Sequence, residues 1–216
     1  NTPARSFRRL LALLLSAAAL LGAGCAKDIP VFTPPAERTV ASHDKAWPRN
    51  HYLTLAYHAI QDGVADQSFI AVRTDQLVAQ LQWLRMNGYQ AVSVDQILAA
   101  QKGGPELPPK AVLLTFDDGY KDFYTRVIPL LRSFHWPAVL APVGSWMLTP
   151  ASQPVIFGDE PAPRELFLNA KELGQVAKSP LVEIGAHTFA SHKGSQGNPQ
   201  GNLMPHMANH QYLPDL

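Results

Sequence analysis

A single cysteine stands among the 216 residues. It cannot form a disulfide framework, and it excludes a Cys-rich zinc site. Any metal would have to be held by histidines and carboxylates. Neither sign of charge dominates: 18 Lys and Arg face 17 Asp and Glu, a formal net charge of +1. That balance argues against a nucleic-acid binder, which needs a basic excess or stripe. No glycine-rich G-x-G-x-x-G or G-x-x-x-x-G-K-[ST] run follows a strand, so a nucleotide fold has no support. The apolar stretch Leu10 to Leu21 falls short of the ~20 residues that span a bilayer.

What is present belongs to a folding chain. Hydrophobic residues make up 46% and charged residues 16%, a globular balance and not a disordered one. The 19 prolines exceed average usage and suggest a loop-rich domain or a proline-rich linker. Arg5, Arg8 and Arg9 precede the short apolar run, and small residues follow it. That order reads as a secretory signal peptide over residues 1–25. Its end, Leu21-Gly22-Ala23-Gly24-Cys25, resembles a bacterial lipobox, with Gly22 where the box usually has Leu. The resemblance implies a lipid-modified Cys25. Ala26 and not Asp follows it, which implies a periplasmic protein anchored to the outer membrane. The plainer alternative is a signal peptide with a stray cysteine. Residues 26–50, broken by Pro30, Pro34, Pro35 and Pro48, read as a semi-extended tether.

From His51 onward the pattern alternates. Tyr52 to Tyr57 is a β-rich run. Thr74 is placed to cap a helix through Asn87, with Leu77, Leu81 and Leu84 on one face and Gly88 as its stop. Tyr89 to Val92 reads as a strand, and Ser93 caps a helix from Val94 to Ala100. Ala111 to Phe116 is a buried strand, and Tyr120 to Phe134 a helix kinked at Pro129. Ala138 to Val143 is a strand, Asn169 caps a helix to Lys178, and Leu181 to Ala186 is a strand. Alternating strands and helices predict an α/β fold with parallel strands. Five strands over residues 51–216 are fewer than a full (β/α)₈ barrel, which takes ~250 residues. The expectation is a barrel-like domain whose C-terminal part lies outside this sequence.

The chemistry gathers at strand ends. The first strand ends in Tyr57-His58, the third in Asp117-Asp118-Gly119-Tyr120, and the last in Ala186-His187, with His192 five residues on. In α/β barrels the carboxyl ends of parallel strands share one rim, where active sites sit. Asp117 and Asp118 leave the strand in opposite directions and so take different jobs. Two such carboxylates at the end of a buried strand are costly unless a cation compensates. Read alone, Asp-Asp-Gly is equally a turn, and a lone histidine pair is equally a surface loop. One Asp with two His suits a divalent ion with open positions. Trp136 and Trp146 could stack on a sugar, though core packing suits them better. His206 and His210 fall in a proline-broken tail, and the polar loop Gly194 to Asn202 is a long turn or a polymer contact.

Thr115-Phe116-Asp117-Asp118-Gly119-Tyr120 and His187-Thr188 to His192 together resemble the two signatures of the NodB-type polysaccharide deacetylases, carbohydrate esterase family 4. The flanking runs Leu55-Ala56-Tyr57-His58, Val72-Arg73-Thr74, Asn87-Gly88-Tyr89-Gln90, Val182-Glu183-Ile184 and Asn198-Pro199-Gln200-Gly201-Asn202 are similar to the biofilm branch of that family. The resemblance covers roughly His51 to the end and implies the (β/α) barrel of the polysaccharide deacetylase type. It implies Asp118, His187 and His192 as metal ligands, Asp117 as general base and His58 as catalytic acid. The backbone N–H near Tyr120 would face the oxyanion. Zinc is the default metal, and Fe, Co or Ni also suit the donor set. The implied substrate is poly-β-1,6-N-acetylglucosamine, and an outer-membrane export porin is an implied partner. The resemblance also implies further closing strands, part of the sugar groove and a second, C-terminal glycan-binding or hydrolytic domain outside this sequence, so inactivity of this chain by itself is compatible with that reading. Peptidoglycan, chitin or acetylxylan as substrate, and a non-catalytic glycan-binding export lipoprotein, are the alternatives.

Overall fold

The computed structural model describes residues 47–198 and 200–206. The signal-like segment, Cys25, nearly all of the proline-rich stretch and His210 lie outside these residues. The chain enters as β1 (Tyr52–Tyr57), then two short strands, β2 (Ile60–Gln61) and β3 (Val72–Arg73). Helix α1 (Thr74–Met86) follows, then β4 (Gln90–Ala91), α2 (Val94–Gln101) and β5 (Ala111–Asp118). After a wide turn come α3 (Ile128–Phe134), β6 (Ala138–Pro142) and α4 (Gly144–Leu148). The hairpin β7 (Val155–Phe157) and β8 (Glu160–Ala162), α5 (Ala170–Val176) and β9 (Val182–Ile184) lead to the hairpin β10 (Gly194–Gln196) and β11 (Leu203–Pro205).

The five strands expected from the sequence form one parallel sheet, ordered β1-β5-β6-β9, with β4 on the start of β5. Among the described residues no rung joins β9 to β1. β5 is covered on both faces, as parallel sheets require. Val112, Leu114 and Phe116 share one buried cluster with Leu77, Leu81 and Leu84 of α1. Ala111 packs with Ile97 and Ala100 of α2 in a second. Each buried leucine contributes about 1.5–3 kcal/mol relative to exposure.

The helix boundaries follow local chemistry. Ser93 accepts from the Gln96 N–H while Gln96 reaches back to the Ser93 N–H, a complete capping box. Glu183 of β9 accepts a further α2 N–H, from Val94, at 2.9 Å. Asn169 caps α5 in the same manner with Glu172. At the end of α1, Gly88 at φ 79° lets its own N–H reach the Arg85 carbonyl and the Tyr89 N–H reach that of Leu84, the two bonds of a Schellman motif.

Three expectations are corrected. Thr74 is the first helical residue of α1 and not its cap; its hydroxyl donates to Asp62 at 2.6 Å. β5 runs two residues past Phe116, so Asp117 and Asp118 end the strand instead of following it. Pro129 does not kink a continuous helix: the chain widens into a π turn over Phe123–Val127, and Pro129 sits in the first turn of α3. A proline at 129 cannot supply the N–H that the Thr125 carbonyl would take in an α-helix. The preceding N–H, of Ile128, instead reaches back five residues to Phe123. Of the segment Gly194 to Asn202, Gly194–Gln196 forms β10, paired antiparallel with β11.

Candidate metal centre

The sheet register builds the rim. β1 and β5 pair Tyr57 with Phe116, so His58 and Asp117 leave adjacent strands side by side. β5 and β6 pair Asp118 with Pro142, and β6 and β9 pair Leu140 with Ile184. The His187 N–H then donates to the Pro142 carbonyl at 3.1 Å, tying the histidine loop to the end of β6. Residues distant in sequence meet because four parallel neighbours, β1, β5, β6 and β9, end near one level.

Asp118 continues the inward parity of Val112, Leu114 and Phe116, and it is 0% exposed. Its Oδ1 lies 3.2 Å from His192 Nε2 and 3.6 Å from His187 Nε2. One ligand atom from each of the three lies within 4.8 Å of the others. Neither carboxylate oxygen of Asp118 makes a hydrogen bond of good geometry, although the His192 ring and the Tyr120 hydroxyl lie against it. A fully buried carboxylate so poorly satisfied is costly, and a cation answers that cost. The donor set therefore fits a divalent ion, and these three residues form a possible metal site. The neighbouring carboxylate has a different setting. Asp117 is half-buried, and burial raises its pKa above the usual carboxylate range, against the pull of His187 and His58. His192 is raised by its contact with Asp118, against desolvation.

Unusual backbone supports this placement. Asp118 and Gly119 adopt φ of 69° and 81° in succession, a conformation costly for any residue but glycine. A Cβ on Gly119 would lie 2.7 Å from Pro142 Cβ, so only glycine fits. Thr188, β-branched, sits at φ 61°, and its Oγ1 accepts from the Ser191 N–H at 3.0 Å. This tight turn brings His187 and His192 together, with ring centroids 5.3 Å apart. Five-residue spacing thus serves one site, which a helix would forbid.

Other residues complete the site, and of these Phe157 and Asp122 gave no signal in the sequence. Trp146 meets the His192 ring edge-on at 4.9 Å, and Phe157 lies 4.8 Å from it. Trp146 is a core residue, as expected, yet its core contact is a ligand ring. Trp136 packs on Phe134 and is core alone. The hairpin carrying Phe157 is marked in the sequence only by the turn pair Gly158-Asp159, since Glu160-Pro161-Ala162 after it does not read as a strand. His206 is hydrogen-bonded to Ser195 and lines a groove of about 430 Å³ with His187 and His192. Asp122, which no motif marked, accepts the Ile60 N–H at 2.8 Å, two residues past His58. Burial pushes its pKa up to about 7.

A parallel α/β sheet with an Asp-His-His cluster and a second Asp at its rim defines a class of metal hydrolase site. A model of the polysaccharide deacetylase family matches residues 104–215, and the chain belongs to that family. Over 203 residues it is 47% identical to the poly-β-1,6-N-acetyl-D-glucosamine N-deacetylase of Escherichia coli K12, covering 94% of this chain and 30% of that one. The chain thus spans under a third of that relative's length. Among solved structures it is similar to a de-N-acetylase from Aggregatibacter actinomycetemcomitans, with TM-score 0.66 and 38% identity over 71% of this chain and 61% of that one. It is also similar to the BpsB deacetylase domain from Bordetella bronchiseptica, with TM-score 0.63 and 37% identity over 76% of this chain and 64% of that one.

Proposed function

We propose that this chain carries the catalytic unit of a metal-dependent de-N-acetylase acting on poly-β-1,6-N-acetyl-D-glucosamine. The observation that carries the reading is the fully buried, poorly satisfied Asp118 carboxylate set against two histidine rings, with a second carboxylate beside it. Asp118, His187 and His192 would hold the ion. Zinc is the default, while Fe, Co or Ni suit the same donors. When bound, such an ion supplies a lowered pKa for water and polarises the acetamide carbonyl.

The remaining steps belong to the protein. Asp117 accepts the proton of the attacking water. The backbone N–H near Tyr120 donates to the oxyanion of the tetrahedral adduct, an interaction of ~2.7–4 kcal/mol in comparable sites. His58, protonated, donates to the leaving amine, which departs poorly without a proton. Acetate and a glucosamine unit result. The choice of polymer is supported by the likeness to the Escherichia coli relative. A signal peptide and a lipid anchor at Cys25 would place the protein in the periplasm on the outer membrane, beside an export porin.

Acetate release from poly-β-1,6-N-acetylglucosamine and from chitin oligomers, with and without chelator, tests the reading. Release from the first polymer that chelation abolishes is expected. Preference for chitin would move the substrate, and no release with any divalent metal would overturn the enzyme assignment in favour of a glycan-binding scaffold.

A further inference from the structure

Arg164 is 7% exposed, in the segment between β8 and α5. Its guanidinium donates to three backbone carbonyls: Nε to Thr149 at 2.8 Å, Nη1 to Phe167 at 2.9 Å and Nη2 to Leu168 at 3.0 Å. A buried cation spent on carbonyls fixes backbone, because its fork allows one geometry. The backbone it fixes lies against the strained turn of the metal centre. The Leu168 N–H donates to the Gly119 carbonyl at 2.9 Å, and Phe167 bridges Tyr120. The Phe167 ring stacks on the Tyr120 ring at 4.9 Å and meets Trp146 at 4.8 Å. Trp146 in turn touches His192.

The chain of contacts therefore runs from Arg164 through Phe167 and Leu168 to Gly119 and Tyr120, directly after Asp118. Two successive residues at positive φ persist only where their surroundings hold them. We propose that Arg164 is a positioning residue for catalysis: it clamps segment 167–168 against the Gly119–Tyr120 turn and so aims the Tyr120 N–H. It touches neither substrate nor metal ligand itself. The inference rests on the deacetylase reading for its catalytic meaning, but the clamp is testable without it.

The test is Arg164→Gln, with Arg164→Lys as a second variant that keeps the charge and loses the fork. Amide hydrogen exchange is compared between segment 117–121 and β1. Exchange in 117–121 is expected to quicken by at least ~10-fold while β1 keeps its wild-type rate, a local opening. In the acetate assay kcat is expected to fall ~10–100-fold with KM within ~3-fold, the pattern of an interaction made in the transition state. Unchanged exchange at 117–121 in a folded variant would overturn the proposal. So would a rise there matched in β1, or loss of folding in both variants, since each marks a general stabiliser. If the wild-type protein releases no acetate, the deacetylase reading fails, and the exchange result still decides the clamp.

Discussion

Asp122 shows how one buried group ties pH to stability. Burial raises its pKa to about 7 in the folded chain, against ~3.9 for an unperturbed Asp. The folded state therefore binds this proton more tightly. The resulting stability is full below pH ~4 and is lost as pH rises through ~7. Asp122→Asn keeps an oxygen for the Ile60 N–H and has no proton to lose. Its stability relative to wild type is expected to improve between pH 5 and pH 8 by on the order of 2 kcal/mol. Urea unfolding of both proteins at the two pH values checks this; a difference that does not change with pH would contradict it. Residues of this kind were illegible in the sequence. Asp122 owes its role to Ile60, 62 positions away, Arg164 to Thr149, 15 positions away, as well as to the nearby Phe167 and Leu168, and Trp146 to a histidine ring packed from another loop; no local spacing encodes these contacts. Asp117, Asp118 and His187 were legible because they stand at or just past strand ends, which parallel strands bring together, and His192 because it follows His187 closely in the same loop.

At the scale of elements, the turn after β5 carries the largest local constraint. Gly119 combines φ 81° with an approach that would put a Cβ 2.7 Å from Pro142. Gly119→Ala faces ~1–2 kcal/mol of backbone strain and ~1–3 kcal/mol of overpacking. A lowered melting temperature is expected, together with weakened metal binding, because Asp118 immediately precedes the turn. A variant melting within the wild-type range with metal affinity intact would remove this turn from the account. The main elements were readable from hydrophobic period and caps: Ser93, Asn169 and Gly88 mark real helix ends. The boundaries that moved did so for tertiary reasons. Thr74 gave its hydroxyl to Asp62 instead of to its own helix, and β5 lengthened because Asp118 had a buried place to fill.

At the scale of the whole molecule, the metal centre joins β5 to the loop after β9, so occupancy should stabilise the sheet. A ligand at 100 times its dissociation constant adds about 2.7 kcal/mol. Protons compete for the same ligands. His192 is held above its ordinary pKa, chiefly by Asp118, and must lose its proton to bind a metal. Zinc is therefore expected to raise the melting temperature at pH 7.5, and to raise it far less at pH 5.5. Equal melts with zinc and with chelator at pH 7.5 would contradict this. Among the described residues no helix is long and apolar enough to cross a membrane. The membrane association proposed for Cys25 is a separate question, checked by whether Cys25→Ser leaves the membrane fraction.

The division of labour between the two adjacent carboxylates is tested most directly by Asp117→Asn, with bound metal and acetate release measured on the same sample. Wild type and variant are both expected to retain about one ion per chain, while acetate release from poly-β-1,6-N-acetylglucosamine falls by ~10²–10⁴-fold in the variant. Near-normal release with the ion in place would show that Asp117 is not the base, and loss of the ion would show that it is a ligand.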